Sequence, residues 1–250
     1  MRRTAALFAL LAVGAAPPPK AALTFVACPI LRDTQSVPCW LTEYQGKTYY
    51  IGIQTDVSAD LTTPMLGHRI LVEGTPSNEP AICGGIPLKP VTVSVMADRA
   101  DDCDRLIPAD DYVLPFAPPR PPGPSRGTLA YVAPPPPVPV PPFQPKAFDV
   151  HYNFDEMVVF KSTRWIEPAL NYARQIKARR IEIFGQQGVT RLTDGTRMAE
   201  RPGLARDRAE QIADLLRGAG LTEPAYTVRW DDSARVGGPE RRLVTIRIEP

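Results

Sequence analysis

Residues 203–217, GLARDRAEQIADLLR, decide the fold of the second half of the chain. Their apolar side chains recur three and four positions apart, which is the spacing of one face of an α-helix. The members of this apolar stripe are Leu204, Ala209, Ile212, Ala213, Leu215 and Leu216. Gly218 or Gly220 supplies the stop that helices commonly end on. The stretch therefore predicts an amphipathic helix with one face turned to a core.

The segments around this helix complete an α+β pattern. Strands are predicted at residues 149–155, 180–184, 226–230 and 243–249. Between the first two strands, Ser162 offers an N-cap to another helix with an apolar stripe from Trp165 to Ile176. A polar loop separates Gly185 from the second helix. The order β-α-β-α-β-β predicts that residues 147–250 form a mixed sheet with both helices packed on one face.

Proline separates this region from the first half of the chain. Of the 30 prolines, 14 lie between Pro115 and Pro145. Such a segment lacks amide donors, so it can neither join a sheet nor fill a helix interior, and polyproline II is its expected conformation. We interpret residues 113–146 as a linker between two modules. Recognition by an aromatic-lined groove of a partner is the alternative role.

The first residues have the pattern of a secretory signal peptide. Arg2 and Arg3 precede an apolar run at residues 4–16 that ends in small residues, as signal peptidase requires. We therefore interpret residues 1–16 as a signal peptide that is cleaved after Ala16, with an uncleaved anchor as the alternative. The run is shorter than the roughly 20 residues of a bilayer-spanning helix. No transmembrane span is expected after cleavage.

Residues 28–112 predict a small all-β module. Strand-like runs separated by turn signals occur at residues 40–44, 48–54, 68–73 and 91–96. In the last run Val91, Val93 and Val95 alternate with smaller polar residues, which is typical of a strand with one buried and one wet face. The pattern favours a small barrel or sandwich, and its strand rhythm weakly resembles an OB-type barrel.

All four cysteines, Cys28, Cys39, Cys83 and Cys103, belong to this module. In an oxidising compartment an even number of cysteines indicates a disulfide framework. Three connectivities are open, and we expect the local pairs Cys28–Cys39 and Cys83–Cys103. Neither gap resembles the short Cys-x-x-Cys spacing of a zinc site, so no metal is expected.

Charge and the lack of a catalytic set of residues argue against two classes of function, nucleic-acid binding and catalysis. The chain has 29 basic and 27 acidic residues, and removal of residues 1–16 takes away two of the basic ones, so the mature protein is close to neutral. Residues 28–112 carry 6 basic and 12 acidic residues, a balance that repels phosphate backbones. Nucleic acid is therefore not an expected partner. No Ser/His/Asp or Cys/His set is present, so we expect neither an enzyme nor a cofactor.

Three stretches of residues 147–250 carry a resemblance to a known family. Residues 152–155 (YNFD) look like its opening Phe-x-Phe-Asp strand, residues 204–209 (LARDRA) like its Leu-Ser-x-x-Arg-Ala helix start, and residues 240–246 (ERRLVTI) like its closing strand. The region resembles the OmpA-like domain, the peptidoglycan-binding module of OmpA-type outer-membrane proteins, Pal-type lipoproteins and MotB-type stators. The resemblance implies an α+β fold that binds the diaminopimelate of the stem peptide.

The resemblance also implies a site. In the family an aspartate pairs with the ammonium of diaminopimelate and an arginine holds its carboxylate, and Arg208 stands at the arginine position. Gln186, Gln187 and Gly188 stand where the family has His-Thr-Asp. The following loop is longer than usual, so a shifted alignment makes Asp194 the replacement acid, with an ordinary turn residue as the alternative. Arg242 is the third candidate, and a structural role is open for both arginines.

These features predict a non-enzymatic protein of the cell envelope, in the periplasm or associated with the outer membrane of a Gram-negative bacterium. Its OmpA-like domain is expected to bind peptidoglycan without a covalent bond. The alternative is a periplasmic adaptor that binds other envelope proteins through a degenerate OmpA-like domain, which the missing His-Thr-Asp favours.

Overall fold

A computed structural model describes residues 20–54, 62–117, 138–157 and 162–250. Within these residues the chain forms two β-sheets, two α-helices and two disulfides. The predicted signal peptide at residues 1–16 and residues 118–137 of the predicted linker lie outside the described part. No helix in the described part is long and apolar enough to cross a membrane.

The first sheet has seven strands in the order β1-β5-β6-β4-β3-β2-β7. The strands are β1 (Leu23–Ala27), β2 (Pro29–Arg32), β3 (Cys39–Tyr44), β4 (Lys47–Ile53), β5 (His68–Pro76), β6 (Ile86–Arg99) and β7 (Leu106–Ile107). Most neighbours are antiparallel, whereas β2 with β7 and β4 with β6 are parallel. The order leaves β1 and β7 as edges, so the all-β prediction is confirmed, but the strands that the structure describes do not close into a barrel.

Both faces of the sheet are buried where the middle of β5 pairs with β6. Ile70, Val72 and Val93 point into an apolar cluster with Phe25 and other residues of the first sheet. On the opposite face, Leu71 and its register partner Ser94 are also fully buried. The expectation of a wet face on residues 91–96 is therefore wrong at Ser94, because the second sheet covers it.

The disulfides join Cys28 to Cys103 and Cys39 to Cys83, so all four cysteines are bonded but the expected local pairs are wrong. Strand register explains the difference. Cys39 lies opposite Arg32 in the β2–β3 pair, four residues beyond Cys28, which puts it about 13 Å away at about 3.3 Å per residue. A disulfide needs Cα atoms closer than about 7 Å. The parallel register of β2 and β7, Leu31 opposite Leu106, instead brings Cys28 beside Cys103.

The second sheet has five strands, and the two helices lie between them in sequence. The elements are β8 (Lys146–His151), α1 (Ser162–Ile176), β9 (Arg180–Arg191), β10 (Arg197–Ala199), α2 (Leu204–Gly218), β11 (Ala225–Val236) and β12 (Leu243–Glu249). The sheet order is β10-β9-β12-β8, with β11 parallel to β9 on its other edge. The predicted order of elements is observed with one addition. The expected polar loop after Gly185 instead extends β9 and forms a hairpin with β10.

Both helices pack on one face of this mixed sheet. That face carries the buried side chains Ile181, Ile183, Val244, Ile246, Ile248 and Val150, which form one core with residues of α1 and α2. Gly185 permits the closest approach. A Cβ atom at this position would lie 2.0 Å from the carbonyl oxygen of Ala205, so only glycine lets α2 rest on β9 here.

The two sheets touch each other. Thr24 of β1 donates its amide to Thr193 Oγ1 at 2.8 Å, and the amide of Thr193 donates to the carbonyl of Thr24 at 2.7 Å. Three further contacts join the sheets near Arg242, through Glu73, Ser94 and Thr62. We call this set the inter-sheet contact.

Candidate functional site

The N-terminal turn of α2 carries a buried ion pair. Arg208 donates from Nη2 to Glu200 Oε1 at 2.8 Å and from Nη1 to Glu200 Oε2 at 3.2 Å. Neither side chain is exposed to solvent. The same guanidinium donates from Nε to the carbonyl of Glu156 and from Nη2 to the carbonyl of Asn153. The pair is therefore bidentate, which is the strongest form of a carboxylate–guanidinium contact.

Glu200 lies where the resemblance left an acid missing. Its Oε2 accepts the amide of Gly188 at 2.9 Å, and Gly188 is the residue at the family's aspartate position. Its Oε1 accepts the amide of Asp155 at 2.9 Å as well as Arg208. A carboxylate is thus present beside residue 188, contributed from the end of β10 and not from the loop itself.

Residues 153–157, which we call the covering segment, lie over this ion pair. Its Asn153 and Glu156 carbonyls accept from Arg208, and its Asp155 amide donates to Glu200. The first sheet holds the segment from the other side. The amide of Phe154 donates to Ser94 Oγ at 2.9 Å, and Asn153 Nδ2 donates to Thr62 Oγ1 at 2.6 Å.

Tyr152 and Gln187 complete the surroundings of the pair. The Arg208 guanidinium lies 4.5 Å from the centre of the Tyr152 ring. Burial raises the pKa of the Tyr152 phenol well above its usual range, against the smaller opposing effect of Arg208. Gln187 is buried and reaches both sides, because its Nε2 donates to the carbonyl of Asp232 and its Oε1 accepts the amide of Ala205 at the start of α2. Gln187 thus has a packing role between β9, β11 and α2.

Arg242 forms a second buried pair, with Glu73 of the first sheet. Its Nη2 donates to Glu73 Oε2, and the side chains are 1% and 9% exposed. Arg242 Nε and Nη1 are buried without a hydrogen-bond partner among the described residues. Burial raises the pKa of the Glu73 carboxyl, while the charge of Arg242 partly offsets this effect. A Cβ atom on Gly188 would lie 3.7 Å from Arg242 Cγ, so this arginine borders the same residue as Glu200.

Asp194 lies elsewhere, at the tip of the β9–β10 hairpin. Its carboxylate accepts the amide of Thr196 at 2.8 Å, and this bond holds the pKa of Asp194 below its usual range. Gly195 follows with a positive φ of 90°, as a tight turn requires. The acid that pairs with Arg208 is Glu200, so Asp194 has the geometry of an ordinary turn residue.

Two of the three predicted binding residues thus border one buried cluster, and two acids in that cluster were not predicted. Arg208 and Arg242 both border Gly188 or the acid bound to it. Glu200 had a weak signal, since it is an acid eight positions before Arg208 in the same loop as Asp194. Glu73 had none, because it lies in the other sheet and meets Arg242 only through tertiary structure.

The arrangement supplies two guanidinium groups and two carboxylates within one buried cluster. A carboxylate beside a guanidinium is the set of groups that binds a zwitterion, with the acid on the ammonium and the guanidinium on the carboxylate. In the structure these groups bind each other instead. A ligand gains access only when the covering segment or the first sheet withdraws.

No protein-family model matches the chain, and comparison with curated proteins and with solved structures finds no match.

Proposed function

We propose that the protein is a non-enzymatic component of the cell envelope that binds the diaminopimelate end of the peptidoglycan stem peptide through Glu200 and Arg208. The observation that supports this proposal is the carboxylate of Glu200, bonded to the amide of Gly188 and to Arg208. It supplies the acid that the loop at residues 186–188 lacks. Glu200 then pairs with the ligand ammonium, and Arg208 pairs with the ligand carboxylate together with Arg242, which also borders Gly188.

The proposed compartment is the periplasm, at the peptidoglycan or outer membrane. Two disulfides are compatible with an oxidising compartment. The resemblance of residues 1–16 to a secretory signal peptide also supports export. Peptidoglycan is the polymer of this compartment that carries free zwitterionic amino acid ends.

A second candidate function is a periplasmic adaptor for envelope proteins. The observation that favours it is the complete burial of Arg208 and Glu200, with four hydrogen bonds already made by the guanidinium within the chain. Buried pairs of this kind also occur as purely structural features. In that case the second sheet is a scaffold, and partners bind outside the cluster.

Cosedimentation of the full chain with purified sacculi separates the two functions. We expect saturable binding that free meso-diaminopimelate competes away. Glu200→Gln keeps the shape of the side chain but removes its charge, so it should weaken binding about tenfold or more through loss of one charge-assisted bond. Arg206→Gln is the matched control, because Arg206 lies on the same helix with an exposed side chain.

Two outcomes of this experiment would contradict the proposal. If neither the wild type nor a Ser94→Ala variant, in which the covering segment loses one of its anchors, sediments with sacculi, peptidoglycan binding is refuted and the adaptor function stands. If Glu200→Gln binds as well as Arg206→Gln does, the protein binds peptidoglycan through other residues.

A further inference from the structure

We propose that the first sheet is a built-in competitor for the site on the second sheet, in which Glu73 occupies Arg242 as a ligand carboxylate otherwise would. This inference rests on the proposed function and concerns the regulation of the same site. It gives the inter-sheet contact a role in addition to packing.

Arg242 is only partly bonded by Glu73. A carboxylate of the first sheet meets a guanidinium that borders Gly188, the residue whose amide holds Glu200. Arg242 Nε and Nη1 have no partner among the described residues, although both atoms are buried. A bidentate carboxylate would satisfy two guanidinium N–H groups, whereas Glu73 satisfies one of the three nitrogens. Glu73 therefore occupies Arg242 without meeting its full bonding capacity, and a better-placed carboxylate can displace it.

Two hydrogen bonds from the first half of the chain anchor the covering segment. Ser94 Oγ accepts the Phe154 amide, and Thr62 Oγ1 accepts from Asn153. Asn153 also presents its carbonyl to Arg208, so the residue held by the first sheet is one that closes the ion pair. Ser94 and Phe154 are both buried by this contact. Withdrawal of the first sheet thus removes the anchors of the segment that covers Arg208.

Polar side chains make this end of the inter-sheet contact, and such a contact can open. The hydrogen bonds that join the sheets at this end involve single side chains, Glu73, Ser94 and Thr62, and not a continuous strand pairing. On the face of β5 that carries Glu73, the buried apolar residue is Leu71, the register partner of Ser94. A ligand that binds only the open form has an apparent affinity lowered by the fraction of open molecules.

The test uses the full chain with three variants. Glu73→Gln removes the competing charge, and Ser94→Ala removes the anchor of Phe154. Glu79→Gln is the matched control, because Glu79 lies in the loop between β5 and β6 with an exposed side chain paired to Lys89. Hydrogen–deuterium exchange at the amides of the covering segment reports opening without any ligand, and cosedimentation with purified sacculi reports binding.

We expect Glu73→Gln and Ser94→Ala to accelerate exchange at the covering segment and to bind sacculi about tenfold more tightly than the wild type. Glu79→Gln should behave as the wild type in both measurements. Unchanged exchange in both variants would overturn the inference, whatever the sacculi show. Faster exchange with binding no tighter than that of a wild type that does bind would overturn it as well.

Failure of the proposed function has a different signature. In that case exchange at the covering segment accelerates in both variants, but no form of the chain sediments with sacculi. That result refutes peptidoglycan as the ligand and, with it, the competition by Glu73. Hydrogen exchange therefore tests whether the first sheet holds the covering segment closed, and cosedimentation tests whether peptidoglycan is the ligand.

Discussion

The surroundings of Arg208 and of Arg242 differ in how the chain compensates a buried positive charge. Arg208 on α2 finds its acid eight residues away, just after β10, and its guanidinium makes four hydrogen bonds. Arg242 finds its acid in the other sheet, makes one hydrogen bond to it, and keeps two nitrogens without a partner among the described residues. Both side chains are nevertheless almost fully buried.

The difference indicates that the Arg208–Glu200 pair stabilises the fold, whereas the Arg242–Glu73 pair can open. A fully bonded pair within one sheet is costly to break from one side, because the remaining charge stays buried. A pair across two sheets can separate with each partner returning to water. The Arg208 pair should therefore control the stability of the second sheet, and the Arg242 pair should control the position of the first sheet on it.

The largest effect is expected for Arg208→Met. Removing the guanidinium leaves the Glu200 carboxylate buried without its partner, which should reduce the free energy of unfolding by about 3–5 kcal/mol. Urea unfolding followed by the helical circular dichroism signal measures this loss. The double variant Arg208→Met, Glu200→Leu should lose much less, since it buries no charge. An equal loss in the single and double variants would contradict the assigned role of the pair.

Gly185→Ala should have the next largest effect, because it displaces α2 on which Arg208 lies. The added Cβ would meet the Ala205 carbonyl oxygen at 2.0 Å, an overlap that must move the helix or the strand. We expect a loss of about 3 kcal/mol in urea unfolding. Gly218→Ala is the control within α2, because a Cβ there has nothing within 4 Å, and it should be neutral or stabilising by about 1 kcal/mol. Comparable losses in the two variants would show that contact with Ala205 is not the cause.

Arg242→Met should cost only about 1 kcal/mol, since it removes one hydrogen bond together with two nitrogens that lack partners. The same urea experiment measures it. The comparison of the two arginines fails if this loss equals that of Arg208→Met. A double-mutant cycle with Glu73→Gln then isolates the coupling across the inter-sheet contact.

The smallest effect is the pH dependence at Glu73. Its pKa is raised by burial, with Arg242 lowering it and Glu240 and Glu200 raising it slightly, so the folded chain holds the proton more readily than the unfolded chain does. Burial of the Glu73 carboxyl therefore costs least at low pH, and the folded state loses stability from this group as pH rises above the ordinary value of 4.5. The difference in unfolding free energy between wild type and Glu73→Gln, measured from pH 4.5 to about pH 7, should change in this direction. A change of opposite sign would mean that the attraction of Arg242 dominates the pKa of Glu73.

Periodic patterns predicted the helices and most strands, because the apolar stripe of α2 and the alternation of β12 depend only on local spacing. The disulfides were mispaired because their partners are set by register. Cys28 meets Cys103 through the parallel β2–β7 pair, which a sequence of separate strand signals does not reveal. The β9–β10 hairpin was missed because its residues are polar, and polar runs are typical of loops as well as exposed strands.

The residues of the candidate site also fall into two groups, those indicated by the sequence and those that only the tertiary structure reveals. Arg208 and Arg242 were indicated by the resemblance of residues 147–250 to a family, which still stands as a prediction. Glu200 and Glu73 acquire their roles from position alone. Glu200 meets Arg208 because β10 returns along β9 toward the start of α2, and Glu73 meets Arg242 because the two sheets touch. Contacts of this kind depend on the complete fold and have no local pattern.

The inter-sheet contact also has a consequence for the order in which the chain folds. Thr24 and Thr193 are 169 residues apart, and so are Glu73 and Arg242. Contacts between residues so distant in sequence form slowly, whereas each sheet pairs its own strands over shorter separations. The two sheets should therefore be complete before they meet. For that interval Arg242 waits without Glu73 beside it, and the inter-sheet contact is the last part of the fold to form.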